Sequence, residues 1–238
     1  MSNDLVVFGV GGLPEIVAKD PLANMIVDAV QSSGRELLAG DVLVVTQKVV
    51  SKAEGRVVKI DPDDVDAKRL LAESESVRVL RRRGDLVITE TKHGFICANS
   101  GVDLSNVEQG YAVLLPIDPD RSARGIRDAI ERRLDVRVGV IVSDTFGRVW
   151  RRGVTDIALG TAGIAAVVDL RGERDALGRE LVATEICVAD EITAAADLVM
   201  GKADGVPVAV VRGVNPAWLR ESSVKEEIVR RSQEDLFR

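Results

Sequence analysis

The chain has 238 residues, a formal net charge of −6 and 46% hydrophobic residues, enough for one large core or two smaller ones. Aromatic residues make up only 3%, and this scarcity together with the acidic balance argues against nucleic acid as a partner. Cys97 and Cys187 are isolated, so neither a disulfide framework nor a CxxC metal site is indicated. No stretch approaches the roughly 20 apolar residues that span a bilayer, and no signal peptide pattern is present. We expect a cytoplasmic protein that does not bind membranes.

The first part of the chain predicts a strand, a helix and a second strand, in that order. Residues 5–10 predict an apolar strand, followed by a turn that contains the sequence LPEI at 13–16. Asp20 before Pro21 is typical of a helix start, and apolar residues follow at helical spacing. Residues 41–50 are almost continuously apolar, which predicts a strand buried on both faces.

The middle of the chain predicts two helices and several short strands. Charged residues alternate with Leu and Val over 63–83, which predicts an exposed amphipathic helix whose three final arginines suit its dipole. The other expected elements are strands at 57–60, 85–89, 96–98 and 112–115 and a helix at 123–134. His93 is the only histidine, and we expect it in a turn rather than at a catalytic or metal site.

The last part of the chain opens with the most apolar strand. Residues 138–142 are mostly β-branched, so we expect a central strand covered on both faces. Small residues over 156–166 predict a buried segment in which backbones approach closely. The remaining expectations are a charged loop or hairpin at 169–180, a helix at 182–200 with Gly201 as its C-cap, a strand at 207–211 and a polar helical tail at 216–238.

These elements predict a mixed α/β (α+β) fold with central apolar strands. The glycines after the first strand do not match the Rossmann fingerprint, because a third glycine would be needed where Pro14 stands. No GxxxxGK[ST] sequence occurs, which excludes a P-loop. We expect residues 1–238 to form a single module of two lobes, with a boundary that the sequence leaves open.

Polar side chains follow three of the apolar segments. The first set is Thr46, Gln47, Lys48, Ser51 and Lys52, the second is Asp103 and Asn106, and the third is Ser143, Asp144 and Thr145, with Arg148, Arg151 and Arg152 close behind. Ligands of open α/β sheets bind outside the carboxyl ends of strands, so these sets are candidates for one site. Each set also has a simpler interpretation, namely solvated lysines, an Asx turn and an exposed loop with solvated arginines.

The chemistry of these side chains favours a hard cation and phosphate. Asp103, Asp144 and Thr145 offer oxygen ligands, and without a His/Cys cluster the expected metal is Mg²⁺ or Mn²⁺ rather than zinc. The lysines and arginines add positive charge that suits phosphate oxygens. Such a set is typical of phosphoryl transfer, in which positioning and charge neutralisation supply most of the catalysis.

Five motifs in this chain form a recognisable series. They are LPEI at 13–16, VVTQKVVSKAEGR at 44–56, GVDLSN at 101–106, SDTFGRVWRRG at 143–153 and ADEITAAADLVMGKADGVPVAVVRG at 189–213. Together they resemble the coenzyme F420-0:γ-glutamyl ligase family, including the N-terminal ligase domain of its two-domain actinobacterial members. The resemblance covers nearly the whole chain, in the family's order, and the flavin domain fused to some relatives is not expected within these residues.

The resemblance implies a reaction and its partners. The family adds L-glutamate to coenzyme F420-0 at the expense of GTP, with Mg²⁺ or Mn²⁺ as the metal and K⁺ as a further cation. Chemistry then favours an acyl phosphate, because a free carboxylate needs a better leaving group before an amine can displace it. The resemblance also implies a homodimer of two-lobed subunits.

Carried over motif by motif, the resemblance implies roles for individual residues. Those expected at the nucleotide are Leu13, Pro14, Glu15, Ile16, Gln47, Lys52, Asn106, Met200, Gly201, Lys202, Ala203 and Asp204. Those expected to hold metal are Asp103, Asp144 and Thr145, and the expected catalytic residues are Asp144, Arg148 and Arg152. Lys202 departs from the family pattern, since many members have glutamine at this position. Whether a second metal ligand is present here is therefore open. The ammonium of lysine could neutralise phosphate in place of that ion.

Two other classes of function remain compatible with the same residues. A metal-dependent phosphatase or nucleotide hydrolase would turn over GTP without glutamate or acceptor. A non-catalytic nucleotide-binding protein would bind GTP without metal-dependent turnover.

Overall fold

The computed structural model describes residues 4–236. In that range the α-helices are α1 (Leu22–Ser32), α2 (Gln47–Ala53), α3 (Ala67–Ser74), α4 (Pro119–Leu134), α5 (Val188–Met200) and α6 (Val224–Glu227). The strands are β1 (Val6–Val10), β2 (Val42–Thr46), β3 (Val57–Lys59), β4 (Ser76–Arg83), β5 (Leu86–Thr91), β6 (Ile96–Ala98), β7 (Tyr111–Val113), β8 (Gly139–Arg148), β9 (Arg151–Ala162), β10 (Val168–Asp169), β11 (Glu185–Ile186) and β12 (Val208–Arg212). Over these same residues, no helix combines the length and apolar character needed to cross a membrane.

The largest sheet has five strands in the order β1-β12-β2-β8-β9. Strands β2 and β8 are parallel, with Val42 opposite Gly139 and Thr46 opposite Ser143. The other neighbours in this sheet pair antiparallel. A sheet with this mixture is not the parallel, doubly wound sheet of Rossmann folds, and the predicted mixed α+β class is confirmed.

Both faces of this sheet are covered, which explains the continuous apolar runs in the sequence. On one face Leu43 and Val140 pack in a core with apolar residues of α1 and α4. On the other face Val44 and Ile141 pack in a core with α5 and with Val224 of the C-terminal segment. The expected burial of residues 138–142 on both faces is therefore confirmed.

Residues 57–114 form a smaller group of elements with its own core. Strands β4, β5 and β6 make a three-stranded sheet, and β3 pairs with β7. The buried residues of this third core are Ala72, Val87, Val102, Ala112 and Leu114. Its loops carry the GVDLSN motif to the main sheet.

The strand predicted at 41–50 is wrong in its second half. Strand β2 ends at Thr46, and α2 begins at Gln47. A continuous apolar run does not distinguish a buried strand from a buried helix, and here Val50 continues into the core as a helical residue. Lys48 and Lys52 are four residues apart on α2, so they lie on the same side of the helix.

The helix predicted over 63–83 is wrong beyond Ser74, where α3 ends. Residues 76–83 form β4 instead, which pairs with β5 through a two-residue turn at Gly84 and Asp85. Gly84 has a positive φ of 58°, as such hairpin turns require. The three arginines therefore lie on a strand rather than at a helix C-terminus.

The helix predicted over 182–200 begins only at Val188, because residues 185–186 pair with residues 168–169 as a small hairpin. The charged hairpin expected at 169–180 is confirmed, and its arms meet at a bridge between Arg174 and Glu180.

The prediction of a helical tail over 216–238 is largely wrong. The segment contains the four-residue α6 and short 3₁₀ turns at Pro216–Trp218 and Ser232–Glu234, and residues 237–238 lie outside the described residues.

The helix predicted at 123–134 exists but begins four residues earlier, at Pro119, because the side chain of Asp118 accepts a hydrogen bond from the backbone amide of Arg121 and caps the helix. Two other local predictions are confirmed. Gly201 is the C-cap of α5, with a φ of 60°. His93 lies in the turn between β5 and β6, where Nε2 is 2.8 Å from the carbonyl oxygen of Pro116.

The small residues at 156–166 allow close packing in β9, as expected. Gly160 lies against the first turn of α4. A Cβ atom at this position would be 2.2 Å from the carbonyl carbon of Pro119 and 2.4 Å from the amide nitrogen of Asp120. Backbone atoms cannot give way as a flexible side chain can, so α4 and β9 require glycine here.

We therefore expect Gly160→Ala to lower the free energy of unfolding by about 3 kcal/mol, because the added methyl group pushes β9 from α4. The matched control is Gly147→Ala on the same hairpin, where a Cβ would meet nothing within 4 Å. The control should change stability by no more than about 0.5 kcal/mol. Urea denaturation measures both, and equal stabilities for the two variants would contradict the proposed close contact.

Candidate functional site

The topology of the main sheet brings distant segments to one edge. Strands β1 and β2 end at this edge and β12 begins there, because β12 is antiparallel to both. Strand β8 runs parallel to β2 and passes the same edge at Ser143, which lies opposite Thr46. The segments after β1, after β2 and before β12 therefore meet beside the middle of β8.

A cleft of about 680 Å³ lies at this edge, within the size range of small-molecule sites. Its walls contain the following predicted site residues: Leu13, Pro14, Glu15, Ile16, Lys52, Asp103, Asn106, Asp144, Thr145, Met200, Gly201, Lys202 and Ala203. All five motifs thus contribute to one cleft. Thr46, Lys48 and Ser143, which the sequence also places after apolar segments, line it as well.

Asp144 and Thr145 lie within β8, not beyond its end as the sequence suggested. The strand continues past them and pairs with β9, with Thr145 directly opposite Asp156. A β-bulge interrupts the pairing between Val142 and Ser143, at the point where the strand changes from apolar to polar. The extra residue is Leu159 of β9, since Val142 pairs with Gly160 and Ser143 with Ala158.

Asp103 is held by the smaller group of elements. Its backbone forms an antiparallel bridge with Val113, with hydrogen bonds of 3.0 and 2.8 Å. Its carboxylate accepts hydrogen bonds from the backbone amide and hydroxyl of Ser105 and forms an ion pair of 2.8 Å with Lys48. Burial alone would raise the pKa of Asp103, but the bonds from Lys48 and Ser105 outweigh it and hold the pKa below its ordinary value.

Asp144 has the opposite electrostatic character. Within residues 4–236 no lysine or arginine forms an ion pair with its carboxylate. Its enclosed position raises the pKa of Asp144 to about 7, and the negative charges of Asp156 and Asp103 add to this effect. The backbone hydrogen bond of Thr145 opposes the shift without cancelling it. The charge of Lys48 acts in the same direction as Thr145 without forming an ion pair, so among the described residues Asp144 has no cation in direct contact.

Lys202 contacts three side chains in the cleft wall. Its ammonium donates to Thr145 Oγ1 and Asp156 Oδ1, both at 2.6 Å, and lies 2.7 Å from Asp197 Oδ1. Thr145 in turn donates its hydroxyl proton to Asp156 at 2.6 Å. Partial burial of Lys202 works against its charge, but the hydrogen bonds to Asp156 and Asp197 outweigh it and raise its pKa.

Lys52 joins two of the predicted binding segments. It is buried, and its ammonium lies 2.5 Å from Glu15 Oε1 and donates to the carbonyl oxygen of Asn106 at 2.8 Å. Asn106 has a φ of 55°, a left-handed conformation that asparagine tolerates well. Lys52 is therefore not a solvated lysine, and it connects the LPEI segment to the loop that carries Asp103.

Four predicted site residues lie outside the cleft wall. Gln47 is buried within α2, where it accepts a hydrogen bond from Ser51 at 2.9 Å. Asp204 faces Gly201 in the loop after α5. Arg148 and Arg152 lie at the exposed tip of the β8–β9 hairpin, where Arg148 donates to the carbonyl oxygen of Arg152 at 3.0 Å.

Two carboxylates in the cleft, Asp156 and Asp197, had no role in the sequence interpretation. Asp156 begins the small-residue segment, and only the pairing register of β8 and β9 reveals that it faces Thr145. Asp197 lies in the same motif as Met200, one helical turn before the end of α5. This spacing in the sequence indicates that Asp197 and Met200 lie on the same face of the helix.

The residues present fit a divalent cation that is shared with a phosphate ligand. In the part of the chain that the structure describes, no group of three or more His, Cys, Asp and Glu side chains is close enough to form a complete metal site. Mg²⁺, however, is commonly held by one or two carboxylates together with substrate phosphates. Asp103 and Asp144 meet that requirement, because both line the cleft and Asp144 lacks a cation partner.

Comparison with known proteins places this cleft in a family. A sequence model described as F420-0:Gamma-glutamyl ligase matches residues 11–213, which include every residue of the cleft wall. The chain is 43% identical to the Coenzyme F420:L-glutamate ligase of Archaeoglobus fulgidus, over 98% of this chain and 96% of that protein. It is 41% identical to the protein of the same name from Methanothermobacter thermautotrophicus, over 97% of each. This chain therefore belongs to the F420-0:gamma-glutamyl ligase family.

Proposed function

We propose that this protein is a GTP-dependent ligase that joins L-glutamate to coenzyme F420-0, releasing GDP and phosphate. The observation that carries the proposal is the convergence of all five motifs on a single cleft that contains Asp103 and Asp144. Family membership and identities of 41–43% to proteins named Coenzyme F420:L-glutamate ligase support the glutamate ligation, and the use of GTP is part of the proposal. A requirement for Mg²⁺ or Mn²⁺ follows from the two carboxylates.

The cleft lies between two bodies that we propose as the lobes of the molecule. One is the five-stranded sheet with its helices, which contributes Asp144 and Lys202, and the other is the group formed by residues 57–114, which contributes Asp103. Residues 57–114 have a small core of their own, while Phe95 and Cys97 of this group pack in the core of the main sheet. A ligand between them would therefore contact residues whose relative positions depend on both bodies.

We propose the following roles for the chain's own residues. Asp103 and Asp144 hold the divalent cation, which when bound neutralises phosphate charge. Lys52 lines the cleft and supplies positive charge to a phosphate, where the LPEI segment and Asn106 frame the nucleotide. Phosphates gain most from such groups when water is excluded and the charges are fixed in advance.

The chemical step needs no base from the protein at its first stage. A carboxylate oxygen of the acceptor attacks the γ-phosphorus of GTP, the bond from phosphorus to the bridging oxygen breaks, and GDP leaves. The amine of glutamate then attacks the acyl carbon, loses a proton and displaces phosphate. The phosphate that departs carries one oxygen of the original carboxylate. His93 lies in the turn outside the cleft wall, so direct transfer from GTP is favoured over a phosphohistidine.

The same carboxylates would also suit a metal-dependent hydrolase of nucleotides or phosphate esters. That alternative is separated from ligation by glutamate dependence, because hydrolysis requires neither glutamate nor the acceptor. A metal site completed by substrate phosphates suits both reactions, so ligation is preferred because the chain belongs to the F420-0:gamma-glutamyl ligase family.

The ligase proposal predicts the fate of an isotopic label. With coenzyme F420-0 carrying ¹⁸O in its acceptor carboxylate, GTP, Mg²⁺ and L-glutamate, one ¹⁸O atom should appear in released phosphate for each amide formed. Mass spectrometry of the phosphate and of the glutamylated product measures both. Unlabelled phosphate would exclude the acyl phosphate, and GTP turnover at the same rate without glutamate would favour the hydrolase.

Asp144→Asn should separate activity from stability. Ligation should fall by about 100-fold or more, because the variant loses a charge that holds the cation. Without metal, the raised pKa of Asp144 means that the folded protein binds a proton more tightly than the unfolded chain does. Wild-type stability should therefore fall as the pH rises from about 4 to about 7, by no more than about 4 kcal/mol, whereas the variant should keep that stability.

Chemical denaturation at pH 5 and pH 8 in EDTA measures this difference. The variant should be more stable than the wild type at pH 8, with a smaller difference at pH 5. The control Glu108→Gln removes an exposed negative charge, and its free energy of unfolding should differ from that of the wild type by the same amount at pH 5 and pH 8. A variant that is no more stable than the wild type at pH 8 would mean that Asp144 is well solvated.

We also propose that the protein is a homodimer that uses the β8–β9 hairpin. The side chains of Val149 and Trp150 at its tip are 71% and 89% exposed, an unusual position for one of the chain's two tryptophans. Exposed apolar groups at the end of a projecting hairpin are typical of interaction sites. The neighbouring arginines are available there for an acidic partner, and the chain itself carries a net charge of −6.

Sedimentation equilibrium should therefore give the mass of two chains for the wild type. Trp150→Glu should shift the protein to the mass of one chain, because a charge at the interface opposes burial. Leu177→Glu is the control, since this residue is 83% exposed at the tip of a different hairpin and should leave the dimer intact. A monomeric wild type, or a Trp150→Glu dimer of unchanged affinity, would refute the proposal.

A further inference from the structure

The ammonium of Lys202 occupies a cage of three oxygen atoms. Thr145 Oγ1 and Asp156 Oδ1 are 2.6 Å from Nζ, and Asp197 Oδ1 is 2.7 Å from it. These oxygens come from β8, β9 and α5, so the cage is built by the sheet and the packed helix rather than by a single loop. Two carboxylates and a hydroxyl are ligand types that hard cations accept.

We propose that Lys202 is a resident cation that fills a position otherwise open to a divalent ion, so that the cleft takes one divalent ion, at Asp103 and Asp144. If the protein is the proposed ligase, a single divalent ion assists the phosphates of GTP, and this part of the inference rests on the proposed function. The binding of ions itself does not depend on that function.

Asp156 explains why the ammonium is retained. The side chain of Asp156 is only 3% exposed, and a buried carboxylate without a cation partner is strongly unfavourable. Lys202 supplies that partner, while its own side chain remains 51% exposed toward the cleft. The ammonium of Lys202 is therefore held in place by the buried Asp156, and the exposed part of the lysine side chain remains accessible to a ligand in the cleft.

The loop after α5 directs the lysine into the cage. Gly201 has a φ of 60°, and a Cβ at this position would lie 2.2 Å from Asp204 Oδ2. The backbone therefore turns sharply just before Lys202. Removal of the ammonium from the cage would require this turn to move or the side chain to abandon two carboxylates.

Lys48 also touches a candidate cation ligand, and its environment is different. It contacts one carboxylate, that of Asp103 at 2.8 Å, together with the hydroxyl of Ser105 at 2.7 Å. Both contacts belong to one loop of the smaller group of elements. An ion that binds between Asp103 and Asp144 replaces a single ion pair of Lys48, whereas an ion in the cage would have to replace two ion pairs of Lys202.

The test counts bound Mn²⁺ from the electron paramagnetic resonance signal of free Mn²⁺ during titration of the purified protein without nucleotide. Lys202→Gln should bind one more Mn²⁺ per chain than the wild type, because the cage oxygens become available. Mn²⁺ should also raise the thermal midpoint of Lys202→Gln more than that of the wild type. The control Lys48→Gln removes a lysine from the same cleft and should bind as many ions as the wild type.

A second variant keeps the proposal testable if Lys202→Gln does not fold. Asp197→Asn removes a cage carboxylate, and with Lys202 in place it should bind the same number of Mn²⁺ ions with a dissociation constant within twofold of the wild type. Loss of a bound ion in Asp197→Asn, or equal counts for the wild type and Lys202→Gln, would overturn the proposal.

The outcome is distinguishable from failure of the ligase proposal. A wild type that ligates glutamate but binds as many Mn²⁺ ions as Lys202→Gln refutes the role of Lys202 alone. A wild type without ligase activity whose count is one lower than that of Lys202→Gln refutes the proposed function and supports the resident cation.

Discussion

The parallel pairing of β2 with β8 is the constraint on which the rest of the cleft depends. It places Thr46 opposite Ser143, so that α2 starts beside the polar half of β8. The antiparallel pairings of β12 with β2 and of β1 with β12 bring the start of β12 and the end of β1 to the same edge. A shift of the β2–β8 register by one residue would exchange the two faces of the strand and move the polar residues into a core.

The electrostatics of the cleft follow from an unequal pairing of charges. The cleft wall carries the carboxylates of Glu15, Asp103, Asp144, Asp156 and Asp197 and the ammonium groups of Lys48, Lys52 and Lys202. Lys202 pairs with Asp156 and Asp197, Lys48 with Asp103 and Lys52 with Glu15, so among the described residues Asp144 is the carboxylate of this set that forms no ion pair. A cation and an anionic nucleotide would complete this arrangement, and the packing of the elements around the cleft would hold the charges in place.

Much of the site could be predicted from the sequence because its residues occur in local motifs. The polar groups after apolar segments at Lys52, Asp103 and Asp144 were recognisable from residue type and position alone, and the structure brings them to one cleft. The parts that could not be predicted depend on partners distant in the sequence. Asp156 acquires its position only through the pairing of β9 with β8, and Arg148 leaves the cleft because the same hairpin extends beyond it.

By itself, the sequence determined the mixed α/β class, the strands buried on both faces and the family to which the chain is similar, because apolar periodicity and short motifs are local properties. Only the tertiary structure decided that the apolar run from residue 41 changes into a helix at Gln47, and that residues 76–83 form a strand. It also decided that Lys202 reaches Asp156 and Asp197. The physical reason is that an apolar run satisfies either element until its neighbours are present, and an ion pair between distant residues exists only when strand register and helix packing bring its charges together.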